Sequence, residues 1–436
     1  MFGKKKQEPA NQKLGVSYWD IVKRQFRKNR VAVWSLYFFV FLVILALSAD
    51  FIANEKPYYC VYKGQSYFPL FRSLAVDLGL AKWQPEFAEA DWVNMEYESA
   101  VFAPVTYSPT TIDIVNSPFK GPFTAQDIKP GRRKHILGTD QIGRDVCAGM
   151  IHGTRIALEV GVLSMAISSL IGIFLGALSG YYGDERLQVS RARLILNVLF
   201  IFFAWFYAFQ IRSYAMSDAL ADGFAPYVLQ WLISTAIFLA IMVVPNVLAI
   251  GFKKVPVLGT KMAVPVDIII MRTIEVINSI PILLLILSLV AVLKKPSIIW
   301  VMVIIGLTGW TGIAKYVRAE LLRVRSLEYI EAAQSLGYSE WRIIFRHALP
   351  NSLTPVLITI AFGVASAILV ESGLSFLGIG VQAELQTWGK LLSEAREDVS
   401  AWWLAVFPGL AIFVTVTIFN LIGEGLTDAL DPRLKQ

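Results

Sequence analysis

Charge-free apolar runs alternate with shorter charged stretches along nearly the whole chain. The runs lie at 31–49, 160–183, 194–211, 223–252, 276–293, 296–314, 348–370 and 399–423. A helix rises about 1.5 Å per residue and a bilayer core is about 30 Å thick, so about 18 to 20 apolar residues make a crossing. All eight runs are long enough. Backbone amides in lipid must be paired within their own segment, and the alternating pattern of a membrane barrel is absent, so the runs read as helices. The expectation is an all-α integral membrane protein with about eight transmembrane helices. Two runs are irregular: 194–211 is short and aromatic (Phe200, Phe202, Phe203, Trp205, Phe206, Tyr207), and 223–252 is interrupted by Pro245. They read either as a hairpin across the membrane or as segments lying partly along its surface.

One polar stretch stands between two of the runs. In "EAAQSLGYSEWRIIFRHALPN", 331–351, and just before it, Ile330, Ala333, Leu336, Trp341, Ile344, Phe345 and Ala348 recur at three- and four-residue steps, with charged residues between them. That is amphipathic helix spacing. Gly337 divides it and reads as a tight turn between two short helices, and Pro350 opens the following segment. On spacing alone, an ordinary surface helix between spans has the same pattern.

Composition agrees with a membrane protein: of 436 residues, 56% are hydrophobic and 17% charged, against about 45–50% apolar in soluble domains. The net charge of +7 suits either nucleic acid or basic cytoplasmic loops, and the location of the charges decides. With the N-terminus inside, Lys4, Lys5, Lys6, Lys13, Lys23, Arg24, Arg27, Lys28 and Arg30 are cytoplasmic. So are Arg186, Arg191, Arg193, Lys253, Lys254, Lys261, Arg272 and the charges from Lys315 to Arg346. The outer segments 50–155, 212–222, 294–295 and 371–398 are mostly neutral or acidic; Lys294, Lys295 and "GRRKH" at 131–135 run against the rule. Both termini are therefore expected inside, and no nucleic-acid partner is expected. The first run follows a long basic lead with no cleavage site after it, and reads as a retained span. Before it, Trp19, Val22 and Phe26 share one helical side with Lys23, Arg27 and Arg30 around the other, as in a helix at the inner surface; a loose basic tail is the alternative.

Chemistry-bearing clusters are few. Cys60 and Cys147 fall on the expected outer side, where a disulfide can persist, and His135, His152 and His347 are scattered, so no metal cluster is expected. There is no phosphate loop and no H-E-x-x-H, so an enzyme is not expected. Glu159, Glu275 and Glu371 sit at span ends, where a charge can reach the interface. Ser164, Ser168, Gly172, Gly176 and Gly180 repeat every four residues, the spacing of close helix packing, either inside one chain or against a second one.

Several motifs in order carry a resemblance. Glu331, Ala332 and Ala333, then Gly337, then "HALP" ending at Pro350 resemble the EAA loop of importer-type ABC permeases, and "RIIFRHALPN" is similar to the dipeptide, oligopeptide and nickel branch. "HILGTDQIGRDVCAGMIHGTRIALEVG" resembles that family's approach to its second span, with Gly138, Thr139, Asp140, Gly143, Arg144 and Asp145 in order. "VDIIIMRTIEVINSIP", "ESGLSFLGIGVQ", "TWGKLL", "AWWLAVFPGLAIF" and "GEGLTDALDPRLKQ" resemble its later segments. The resemblance implies a type I ABC importer permease fold of six core spans plus an inserted hairpin. The divisions are a basic N-terminal helix (1–30), a first span (31–52), an outer segment (53–155), a second span (156–185), the inserted hairpin (186–265), the remaining core (266–424) with the coupling loop at 328–351, and a tail (425–436). It implies that Glu331, Ala332, Ala333, Gly337, Arg342 and Pro350 meet a separate ATPase. It also implies a second homologous permease, two cytoplasmic ATPases carrying ATP and Mg, an extracytoplasmic binding protein, and no cofactor on this chain. Two departures are the insert and the long segment 50–134; a third is "AELQ" after Gln382, in place of a proline-rich turn. An ion-gradient carrier and a nontransporting membrane partner are the rival readings. Substrate is not legible, since related permeases carry peptides, nickel chelates or peptide-like compounds.

Overall fold

A computed structural model describes residues 18–430, apart from 78, 88–89, 223, 253–254, 293–296, 381 and 383. Lys4, Lys5, Lys6, Lys13, Lys253, Lys254, Lys294, Lys295, Ala383 and the tail from 431 lie outside the described residues. The chain divides into two compact units, one of residues 1–177 with 276–436 and one of residues 178–275.

In the larger unit, Asn29 caps the first long helix, Arg30–Leu47, its side chain accepting from the Ala32 amide at 3.1 Å. The capping oxygen satisfies one of the helix's otherwise unpaired N–H groups. Much of this helix faces outward with apolar side chains, Trp34 at 70% and Leu47 at 74% exposure; such a surface belongs in lipid, not water. The preceding helix, Tyr18–Phe26, buries Val22 against Ala429 and Leu430 of the last helix, Trp402–Leu430. The apolar side of that N-terminal helix is thus partly taken up by protein.

The second long helix, Val146–Tyr182, starts 14 residues before its charge-free run, because the polar residues of its first turns stay outside the apolar stretch. The core of the unit is built from Val160 on this helix, Ile286 and Val290 on Ile282–Ala291, Val301, Met302, Ile304 and Ile305 on Ile298–Val324, and Ala367 and Leu374 on Thr354–Phe376. Seven helices among the described residues are long and apolar enough to cross a membrane, and eight if the bent pair Val266–Ser279 and Ile282–Ala291 counts as one. The run at 276–293 is therefore not a straight helix. Pro281 has no N–H, and its ring disfavours helical geometry in the residue before it, so the chain breaks there and bends by 84°.

Residues 53–145 form a cap between the first two long helices. It departs from the all-helical expectation with a small antiparallel sheet in the order Gln65–Tyr67, Tyr59–Tyr62, Ser99–Val101. Short strand edges are tolerable because this segment need not satisfy its backbone in lipid. The cap seats on the second long helix through Ala53, Val105 and Ala148.

The smaller unit holds two long helices, Arg191–Ala219 and Pro226–Gly251. Asn197 and Asn246 meet near one end at 3.3 Å, and the Arg212 Nε donates to the Ser234 hydroxyl at 3.1 Å towards the other. Pro245 does not interrupt its helix. A short strand pair, Gln188–Ser190 with Lys261–Ala263, closes the end at which the hairpin begins and finishes.

Candidate functional site

The 328–352 stretch is two helical arms joined by a tight reversal. Helix Glu328–Ser335 has Glu328 and Glu331 in its first turn, where acidic side chains favour the helix dipole. It ends on Gly337, at φ +76°. The Gly337 amide donates to Gln334 O at 2.9 Å and the Tyr338 amide to Ala333 O at 3.3 Å. This is the paired C-terminal hydrogen-bond motif that ends a helix on a left-handed residue, usually glycine.

The second arm runs from Glu340 through Ser352 with a widened turn over Ile343–Ala348. The widening precedes Pro350, whose ring would clash with the carbonyl four residues back in a regular helix. Pro350 stands in the first turn of the short helix Leu349–Ser352, which opens directly after the widened turn, as the sequence suggested.

Ile330, Ile343, Ile344 and Ala348 are fully buried and anchor both arms. The Asn351 amide donates to the Tyr329 hydroxyl at 3.2 Å and clamps one arm to the other. Leu336 and Trp341, expected on the buried side, are 72% and 55% exposed. The reversal at Gly337 resets the helical phase, so one periodicity does not extend across it. Glu331, Ala332, Gly337, Arg342 and Pro350 are all at the surface, and Ala333 is buried. The Arg342 guanidinium lies 5.6 Å from the Tyr338 ring centre, and that ring stacks on His347.

The 138–145 motif builds a different kind of site. Gly143 adopts φ +89°, and a Cβ there would stand 2.1 Å from the Asp113 carbonyl; Gly138, at φ +84°, is 2.6 Å from Lys120 O by the same measure. Only glycine fits such approaches. The Thr139 hydroxyl donates to Asn116 O at 2.7 Å, and the Trp403 indole donates to Thr139 O at 3.1 Å. Asp140 accepts from the Arg144 amide and side chain, at 2.8 and 2.6 Å, and from Gln386 at 3.2 Å. Arg144 reaches on to Glu394 at 2.7 Å. Asp145 accepts from the Ala148 amide at 2.6 Å, at the start of the second long helix. Its other oxygen lies 2.7 Å from His135 Nδ1, while His135 Nε2 lies 3.2 Å from Asp113.

Buried charges require partners of this kind. Burial disfavours the charged His135 ring, but its hydrogen bonds and proximity to Asp145 and Asp113 outweigh this and raise its pKa. Burial, with Asp140 adding to it and Arg144 opposing it, pushes Glu394 up to about 7. The motif is a fastener joining the cap, the short helix Trp388–Glu394 and the last long helix. Gln386, Glu394, His135 and Trp403 were not foreseen as its members. Gln386 falls where the sequence departs from the family pattern, so the departure itself was the available signal.

Gly172 and Gly176 face the Ile298–Val324 helix, and a Cβ on them would stand 2.7 Å from Ile313 Cβ and 2.6 Å from Ala314 O. Ser164 and Ser168 donate across the same seam to Met302 O and Gly306 O, each at 2.9 Å. This stripe packs within the subunit; Gly180, a turn further on and buried, falls in the smaller unit. Glu159 and Glu275 are exposed, whereas Glu371 is buried and accepts from Ser375 at 2.5 Å. Cys60 and Cys147 are both free thiols. No cluster of metal-ligating side chains occurs among the described residues.

Long apolar helices, a folded cap and an exposed helical elbow between spans define a multi-pass membrane protein. Residues 257–436 match the model of the binding-protein-dependent transport system inner membrane component, and residues 17–72 that of the N-terminal transmembrane domain of oligopeptide transport permease C. The chain is 30% identical over 418 residues to the inner membrane ABC transporter permease protein YejE of Escherichia coli, covering 94% of this chain and 95% of that protein. It is 27% identical over 434 residues to the peptidoglycan transport system permease protein YejE of Agrobacterium fabrum, covering 94% and 92%. It is 29% identical over 316 residues to the dipeptide transport system permease protein DppC of Bacillus subtilis, covering 72% and 73%. The chain belongs to the peptide-type family of ABC importer permeases. It is a multi-pass inner-membrane subunit that forms the membrane half of such an importer and couples to ATPase partners, which sets aside the ion-gradient carrier and the nontransporting partner.

Proposed function

We propose that the elbow at 328–352 is where the ATPase engages this permease, with Glu331, Ala332, Ala333, Gly337, Arg342 and Pro350 as its coupling residues. The observation that carries this is the pairing of fully buried anchors, Ile330, Ile343, Ile344 and Ala348, with an outward apolar tip of Leu336 and Trp341. Force applied at such a tip passes through the anchors to the flanking helices, Ile298–Val324 and Thr354–Phe376. Polar residues around the tip supply orientation, and the apolar tip supplies burial on docking.

In this reading both termini and the elbow are cytoplasmic, and the cap faces outward towards a binding protein. A second homologous permease completes the pathway, and two ATPases bearing ATP and Mg sit beneath. ATP-driven closure of the ATPases moves the elbow and alternates access to the pathway. The domain divisions read from the sequence are kept, including 186–265 as an inserted membrane hairpin. The relatives named for dipeptide and peptidoglycan transport support a cargo carrying peptide bonds.

The test is to measure transport and ATPase assembly with Glu331→Ala, an exposed substitution that leaves the anchors intact. Reduced coupling with normal folding supports the assignment. Wild-type assembly and coupling for both Glu331→Ala and Trp341→Ala would sink it.

A further inference from the structure

The smaller unit contains a cavity of about 540 Å³ at the end where its two long helices meet the short strand pair. Its polar lining includes Arg193, Lys261, Gln188, Ser190 and Asn246, and its apolar wall includes Ala249 and Ile250. Arg193 and Lys261 are both exposed, and no carboxylate among the described residues pairs with either. Asp184 is engaged with the Ile268 amide at 3.0 Å, and Arg186 lies over the Tyr181 ring.

The position of the cavity narrows its ligand. It lies where two helices long and apolar enough to cross a bilayer begin and end, which is headgroup depth whichever way the hairpin is oriented. The helix surface leading away from it carries exposed Val198, Val247 and Ile250. Two cations and the Gln188 amide above an apolar helical surface match a phosphate attached to acyl chains.

We propose that this cavity binds the phosphate headgroup of an anionic phospholipid, with Arg193 and Lys261 as the cationic contacts and Ser190 and Gln188 as polar ones. None of the lining residues belongs to the elbow at 328–352, so the two sites can be altered separately. It gives the inserted hairpin a defined task, holding an anionic lipid at its base.

The experiment uses full-length permease, delipidated and returned to nanodiscs or detergent. Native mass spectrometry titrates phosphatidylglycerol and phosphatidylcholine separately, and a third arm adds inorganic phosphate as competitor. Wild type is expected to retain phosphatidylglycerol over phosphatidylcholine. Arg193→Gln and Lys261→Gln should each weaken phosphatidylglycerol retention about fivefold, and the double variant about twentyfold, with Lys63→Gln as a charge-matched control on the cap unchanged. Size-exclusion profiles and melting in neutral lipid establish that the variants are folded. Equal retention of the two lipids by wild type, or an unaltered preference in the double variant, would overturn the proposal. Full displacement of phosphatidylglycerol by millimolar inorganic phosphate would instead assign the cavity to a free anion and overturn the lipid as its ligand.

Discussion

At the scale of single residues, the most consequential side chain is Arg144, which serves two buried carboxylates at once. Removing one member of a buried charge network leaves the others desolvated and unpaired, a loss of about 3–5 kcal/mol. Arg144→Ala should lower the thermal midpoint of the purified permease sharply. Arg144→Lys should recover only part, since a single ammonium lacks the fork that spans Asp140 and Glu394. A midpoint for Arg144→Ala equal to wild type would refute the fastener.

The same network makes stability depend on pH. Glu394, raised from 4.5 to about 7 in the folded protein, binds its proton more tightly folded than unfolded, so stability falls as pH rises through that window. His135 is raised above 6.5; its contribution is full below that value and is lost as pH rises through the folded one. Both act in one direction, and the thermal midpoint should decline from about pH 5 to pH 8. Glu394→Gln should flatten the lower part of that decline and His135→Gln the upper. A midpoint that rises over this range contradicts both assignments. The glycines and acids of the 138–145 motif were legible in the sequence, but their partners were not. Gln386 and Glu394 lie 246 and 250 residues from the groups they meet, and no local spacing encodes contacts over such distances.

At the scale of elements, apolar runs foretold the long helices because lipid leaves the backbone no alternative. They did not foretell every bend or change of phase. The span expected at 276–293 is broken at Pro281; the turn read at Gly337 is present, but the single apolar face read across it is not, since Leu336 and Trp341 are exposed. Each discrepancy follows from one residue's backbone chemistry, which charge counting and periodicity do not weigh. The cap sheet was also unforeseen, because its strands are only three or four residues long. Gly337→Ala tests the elbow as an element. A Cβ there meets no neighbouring atom within 4 Å, so the cost is backbone strain alone, about 1–2 kcal/mol. The variant should insert and assemble yet couple poorly, and unchanged coupling would show that the elbow's angle is unimportant. For the hairpin, Ser217 is exposed beyond the aromatic stretch of its first long helix. Ser217→Cys should react with a membrane-impermeant maleimide added from outside the cell. Reaction only from the cytoplasmic side would remove the two additional crossings.

At the scale of the whole molecule, the long helices, the fastened cap and the anchored elbow give one permease three kinds of surface. Its apolar exterior meets lipid, its cap is held rigidly by a buried charge network, and its elbow offers an apolar tip on firm supports. The central claim is that movement enters this subunit through that tip. The most direct measurement is substrate-stimulated ATP hydrolysis by the complete importer in proteoliposomes, with both permeases, both ATPases and the binding protein, comparing wild type with the Glu331→Ala, Gly337→Ala double variant. The account predicts that the variant complex retains basal hydrolysis but loses most of its stimulation and transport. Stimulation and transport at wild-type levels, in a complex of normal composition, would contradict it.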